Sequence, residues 1–172
     1  GFHSFLQKNR IPLESVMAKS WNKKIFKQID EQVNKASKDL AEERGACPDA
    51  AEYGYQERFS NKTAIAPTAS ISIICGGASP GVEPIAANSY THKTLSGSFN
   101  VRNRYLEEIL DSHGKNDDET WSTITTNQGS VSHLNFLTDL EKDVFKTAFE
   151  LDQKWIIELS GDRTPFISQA QS

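Results

Sequence analysis

Cysteine is nearly absent. The 172 residues hold two, Cys47 and Cys75, far apart and without Cys-x-x-Cys spacing, which argues against a disulfide scaffold or a zinc site. Reduced thiols are the default reading. No apolar run approaches the roughly 20 residues that cross a bilayer, and no charged-then-apolar leader opens the chain, so the expectation is a cytoplasmic protein without span or signal peptide. An excess of basic charge is missing too. Lys and Arg number 19 against 23 Asp and Glu, so nothing points to nucleic acid or to a membrane surface as partner. The four histidines, His3, His92, His113 and His133, are scattered and offer no metal-ligand spacing. An initiator Met is lacking, and the expectation is a processed chain or a piece of something larger.

What is present suffices for a core. Hydrophobic residues make up 37% of the chain, and its length falls within the roughly 100–200 residues typical of one domain. From Pro12–Ala18 onward, Trp21, Ile25, Phe26, Ile29, Val33 and Leu40 recur at helical spacing, and interleaved Lys, Asp and Glu read as a solvated face. Gly45 is a fitting C-cap. The polar stretch 48–61 reads as a loop, and 63–66 and 71–74 as short strands. Residues 88–99 suggest irregular or extended backbone, and short helices are expected at 104–110 and 121–124. Thr138 with Glu141 has capping-box spacing at the head of an apolar stripe running from Leu140 to Leu159. Gly161–Pro165 then turns the chain into a terminal strand at 166–172, on which Gln169 and Gln171 alternate.

Chemistry concentrates in APTASISIICGGASPGVEP, residues 66–84. Small side chains let backbone N–H groups approach an anion closely, and the hydroxyls of Thr68, Ser70 and Ser72 add donors. An ordinary strand and turn would produce the same residues, so both readings stand. Glu83, in a Gly-x-Glu-Pro turn, is expected to be a structural acceptor rather than a catalytic carboxylate. Cys75 is expected to be a small buried hydrophobe, and Trp21 and Trp155 to be core. His92 and Lys93 lack partners at informative spacing.

The loop, followed by ANSYTHKTLSGSFNVRNRYLEEIL, resembles the large catalytic subunit of class I ribonucleotide reductase. GFHSFLQKNRIPLESVMAKSW, LAEERGACPD and DRTPFISQAQS are similar to further segments of that family in family order, so the resemblance covers essentially all of residues 1–172. It implies an α/β fold, part of a ten-stranded barrel, in a ribonucleoside-diphosphate reductase that supplies deoxyribonucleotides for DNA synthesis. It also implies that Pro67, Thr68, Ala69, Ser70 and Ile71 hold the substrate's diphosphate at a helix N-terminus. The implied partners are the remainder of the large subunit, a radical-generating small subunit and a ribonucleoside diphosphate.

Departures from the family bound the expectation. The Asn-x-Cys-x-Glu stretch of the radical cysteine is missing, and Cys47, before Pro48, and Cys75, before Gly76, do not match the family's redox pair. No catalytic residue, metal site or bound cofactor is therefore assigned here. The radical from a metal-containing small subunit and the reductant, thioredoxin or glutaredoxin, would serve the full enzyme. The chain alone is expected to be inactive, as an excerpt or a split-gene product. The competing expectation is a non-catalytic remnant or assembly module that keeps an anion-binding loop.

Overall fold

The computed structural model describes residues 1–95 and 97–171. They divide into two compact units, Gly1–Ala18 with Pro67–Trp155, and Lys19–Ala66 with Ile156–Ser172. In chain order the helices are α1 (Phe2–Lys8), α2 (Val16–Arg44), α3 (Pro48–Glu52), α4 (Ala69–Ile74), α5 (Arg104–Ser112), α6 (Asp118–Thr126), α7 (Asp139–Val144) and α8 (Gln153–Arg163). Strands β1 (Ser89–Thr94) and β2 (Gly97–Arg102) lie between α4 and α5, and the 3-10 turn Thr164–Phe166 follows α8.

In the first unit the core is built by α5, α6, α7 and the connector 129–137. Leu106, Leu110, Ile124 and Phe145 are wholly buried, and Trp121 is 2% exposed with its indole N–H donating to Asn116 Oδ1 at 2.7 Å. Full burial of each such side chain contributes roughly 1.5–3 kcal/mol. Each helix of this core starts on a side-chain cap, which accepts an amide left over at a helix N-terminus. Asn103 accepts from Tyr105 N–H, Asp117 from Thr120 N–H, and Thr138 forms the expected capping box with Glu141.

The extended backbone expected near 88–99 is an antiparallel hairpin, with Ser89 opposite Arg102 and Thr94 opposite Gly97. Its start is pinned by Asn88, 1% exposed. The Asn88 side-chain amide donates to the Gly129 and Phe145 carbonyls at 3.0 and 2.7 Å, and its Oδ1 accepts from Asn103 Nδ2 at 2.8 Å. Asn103 also donates to Gln7 Oε1 at 3.0 Å, which brings α1 into the same network.

The apolar stripe from Leu140 to Leu159 is not one helix. The Val144 carbonyl accepts from the Gln7 side chain and the Phe145 carbonyl from Asn88, while Ala148 N–H donates to the Ile85 carbonyl at 2.8 Å. Groups that would have continued the i to i−4 ladder are taken by tertiary partners, and α7 ends at Val144.

In the second unit the long amphipathic helix is present, and Gly45 at φ +82° ends it in the left-handed conformation that suits glycine. Arg163, 4% exposed, donates to Gln171 Oε1 at 2.6 Å and to Asn22 Oδ1 at 3.4 Å, and its guanidinium lies 5.8 Å from the Phe26 ring centre. Gln171 is therefore a structural residue. The stretch 48–61 opens with α3 instead of being all loop, because Pro48 sits favourably at the first helical position. Gly161 lies inside α8. The terminal strand reduces to one parallel bridge, Ile65 to Gln171, with Ser172 outside the described residues.

Three smaller expectations are corrected. Residues 71–74 belong to α4: among the described residues no strand pairs with them, and a helix satisfies their backbone groups locally. Cys75 is exposed, since it caps a helix none of whose residues is buried. Trp21 and Trp155 are half-buried, and Trp121 is the tryptophan of the core.

His3, 1% exposed, accepts the Ile85 N–H at Nδ1 over 3.0 Å, and burial pushes its pKa down to about 4. An unfolded imidazole with the ordinary pKa binds the proton more readily. Stability is therefore complete above about pH 6.5 and falls as pH drops toward 4, by on the order of 3 kcal/mol. Urea unfolding across that range should show this slope, and His3→Asn, which can still accept at Oδ1 but does not titrate, should remove His3's share of it. Asn88→Leu should cost about 3 kcal/mol or more, because it strands several buried backbone and amide partners at once. An Asn88→Leu chain that melts in urea like wild type would contradict the pinning role.

Candidate functional site

The turn at Pro67–Ile71 becomes the N-terminal end of α4, in the first unit. Thr68 stands at the N-cap with φ +53° and ψ +27°, a left-handed conformation that is an outlier for a β-branched residue. Its side chain does not cap the helix. Instead Thr68 Oγ1 accepts the Gly81 N–H at 2.7 Å, which leaves the hydroxyl proton available as a donor.

The consequence for the backbone is specific. Ser72 N–H enters the helix ladder on the Thr68 carbonyl at 2.9 Å, whereas the amides of Ala69, Ser70 and Ile71 take no acceptor among the described residues. The Ser70 side chain is exposed beside them. Ser72 differs from the other two hydroxyls, because its proton is committed to the Ala69 carbonyl at 2.6 Å. Three backbone donors and two hydroxyl donors thus gather at one exposed turn. An anion fits that set. Charge-assisted hydrogen bonds contribute roughly 1.5–3 kcal/mol each against about 0.3–1 kcal/mol for a helix dipole, so the free amides dominate over the field of so short a helix.

Both ends of α4 are tied. At the exit, Gly76 and Gly77 adopt φ +80° and +74°, and Arg104 of α5 donates to the Gly76 carbonyl. At the entry the return loop 78–85 is held by α1: Phe2 N–H donates to the Gly81 carbonyl at 2.9 Å, and Ser4 and Ser79 exchange N–H to Oγ bonds of 3.0 and 2.7 Å. A cavity of about 510 Å³ lies against the inner face of α4, lined by Ala69, Ser72, Ile73, Ser79, Asn88 and Tyr90 among others. Of the five residues Pro67, Thr68, Ala69, Ser70 and Ile71, only Ala69 lines it.

Of the remaining candidates, Glu83 lines the same cavity, but the expected structural acceptor role is not seen: its N–H donates to the Pro80 carbonyl at 2.9 Å, and its exposed carboxylate accepts no hydrogen bond among the described residues. His92 and Lys93 sit on β1, His113 pairs with Glu141 at 3.0 Å, and His133 meets Thr123 at 3.0 Å. Among the described residues no cluster of three or more His, Cys, Asp or Glu could hold a metal, and no helix is long and apolar enough to cross a membrane. Sequence reasoning did not single out Ser4, Ser79, Gly81 or Arg104. The Ser-Pro-Gly turn was a visible signal for Gly81, but Ser4 lies 75 residues from Ser79, and no local pattern marks that pair.

A family model described as ribonucleotide reductase, barrel domain, matches residues 1–58 and 49–172. The chain is 47% identical over 176 residues to the ribonucleoside-diphosphate reductase large subunit of Invertebrate iridescent virus 6, covering all of itself and 18% of that protein. It is 44% identical to the subunit of the same name from Invertebrate iridescent virus 3, with 28% of that relative covered. Among solved structures it superimposes on the Actinobacillus ureae class Id ribonucleotide reductase alpha subunit with a TM-score of 0.90 at 40% identity. That match takes in 99% of this chain and 31% of the other. The chain therefore spans well under half the length of these relatives.

Proposed function

Because the chain belongs to the ribonucleotide reductase barrel-domain family, we propose that it forms the substrate-diphosphate grip of a ribonucleoside-diphosphate reductase large subunit. The observation that carries this reading is the trio of unpaired amides at Ala69, Ser70 and Ile71, exposed beside the hydroxyls of Thr68 and Ser70. Pro67 fixes the backbone entering the turn. Donors fixed in place before the ligand arrives lose little freedom on binding, which favours a compact, highly charged diphosphate.

The same geometry supports a division of labour. Cys75 stands at the C-terminal end of α4, opposite the anion turn, so its thiol does not belong to the grip. The reducing thiols would come from the rest of the large subunit. A small subunit would supply the radical, and thioredoxin or glutaredoxin the electrons. Residues 63–65 and 169–171 already form parallel contacts, with Ile65 N–H donating to the Ala170 carbonyl at 3.0 Å and Gln169 N–H to the Thr63 carbonyl at 3.1 Å. In this reading they are neighbouring strands of a ten-stranded α/β barrel that the remaining subunit completes, and the assembly works in the cytoplasm.

Ser70→Asp places a carboxylate among the three amides without disturbing a buried contact. Isothermal titration with pyrophosphate should show binding to the wild-type chain weakened at least roughly tenfold in the variant, at unchanged melting temperature. Equal affinity in the two proteins would remove the turn from phosphate binding. Co-expression with the missing parts of the subunit should restore diphosphate reduction. Pyrophosphate binding without restored reduction would instead identify a non-catalytic module.

A further inference from the structure

We propose that the pocket between α3 and the segment that follows it is a socket for one arginine side chain presented by a partner protein. It lies wholly within the second unit and shares no residue with the anion turn. Asp49, Tyr53, Tyr55, Glu57, Phe59 and Lys62 line a cavity of about 230 Å³. Pockets for drug-sized ligands run to roughly 300–1,000 Å³, so this one suits a single side chain rather than a nucleotide. Its rings are open to solvent: Tyr53, Tyr55 and Phe59 are 75, 67 and 51% exposed. Single exposed apolar side chains are ordinary on a surface, but three aromatic rings around one cavity are a cluster.

Charge selects the occupant. In the wall, Glu57 and Lys62 neutralise each other across 3.4 Å, whereas the exposed carboxylate of Asp49 has no cationic partner among the described residues. Residues 37–62 carry six acidic and four basic side chains, so the surroundings are acidic as well, and Arg58 is not part of the wall. Elsewhere in the chain Lys24, Arg102 and Arg163 stand over the rings of Trp21, Trp121 and Phe26, but among the described residues no cation covers these three rings. Aromatic faces and a carboxylate attract a cation and oppose an anion. Arginine fits better than lysine, because its planar, weakly hydrated guanidinium stacks on a ring while donating to a carboxylate. The backbone beneath the rings is already tied: Tyr55 N–H donates to the Ala50 carbonyl at 2.8 Å, and Ser37 Oγ of α2 accepts the Arg58 and Phe59 amides at 3.1 and 3.2 Å. Little order is left to be lost on binding, and tyrosine is among the side chains that anchor protein interfaces.

The test titrates the full chain with the peptide acetyl-Gly-Gly-Arg-Gly-Gly-amide and with its lysine and citrulline counterparts, following backbone amide and tyrosine ring shifts by NMR. The arginine peptide should shift residues 49–62 saturably, with a Kd on the order of 1 mM for a single side chain. The lysine peptide should bind at least roughly threefold more weakly, and the neutral citrulline peptide should give no saturable shift. Tyr53→Ala, Tyr55→Ala and Asp49→Asn should each weaken arginine binding roughly threefold, while Phe149→Ala, which removes an exposed ring from the first unit, leaves it unchanged. Tyr55→Phe keeps the ring and should bind like wild type. The two tyrosines are mostly exposed, so their variants should melt in urea like wild type; should Asp49→Asn loosen α3, the tyrosine variants decide the matter. The socket is overturned by the lack of a saturable shift at 49–62 with the arginine peptide, or by wild-type affinity in both alanine variants of the tyrosines. Equal affinity for the citrulline peptide overturns recognition of charge, and equal affinity for the lysine peptide overturns the assignment to arginine.

Discussion

Asn88 is the point on which the first unit depends. Its side-chain amide reaches the carbonyls of Gly129 and Phe145, its Oδ1 takes the amide of Asn103, and its backbone N–H and carbonyl bond to Gly129 and Asn103. The connector, the end of α7, the head of the hairpin and the cap of α5 therefore meet at one buried residue. Polar groups in such a place are costly when unpaired and strongly orienting when paired. The crowding is tight as well. Gly129 has φ +81°, and a Cβ there would stand 2.6 Å from Ala87 Cα and 2.8 Å from the Asn88 nitrogen, so no side chain fits.

From that knot the order of the structure propagates outward through α1. Gln7 joins Asn103 to the Val144 carbonyl, which fixes the helix whose first turn carries His3 and Ser4. Those two residues hold the return loop at Ile85 and Ser79. The anion turn is the last member of the series. It needs such a chain of supports because α4 buries none of its residues, and a six-residue helix with no packed face is marginal by itself. Ile71, Ile73 and Ile74 are all more than half exposed, so burial contributes little to its position and the ties at Gly81 and Arg104 contribute most.

Much of the framework was legible along the chain. Phe26 faces inward from a helix whose period was plain, although Ile29 of the same stripe is exposed, and the Thr138–Glu141 box was readable from two residues three apart. Asn103 begins the helix expected at 104–110 for the same local reason, whereas α6 starts at Asp118, ahead of the helix expected at 121–124. The errors share a different cause. Ile71 and Ile73 alternating with Ser70 and Ser72 read as a strand, yet a strand must find its backbone partners in another strand, whereas a helix pairs them within itself. The stripe from Leu140 to Leu159 read as continuous, yet Gln7 and Asn88, distant in sequence, take the carbonyls that would have continued it.

By itself the sequence determined the chemical character of the site: small residues and hydroxyls at Pro67–Ile71, no matching redox cysteines, and motifs similar to those of one family along the whole chain. Those properties reside in residue identity and short spacing. Only the tertiary structure decided that Thr68 turns its hydroxyl to Gly81, that Ser72 consumes its own proton, and that the Ala69, Ser70 and Ile71 amides are left open. The physical reason is that a hydrogen-bond donor has one best acceptor at a time. Which acceptor is nearest depends on α1 and the return loop, which meet the turn only once the chain has folded.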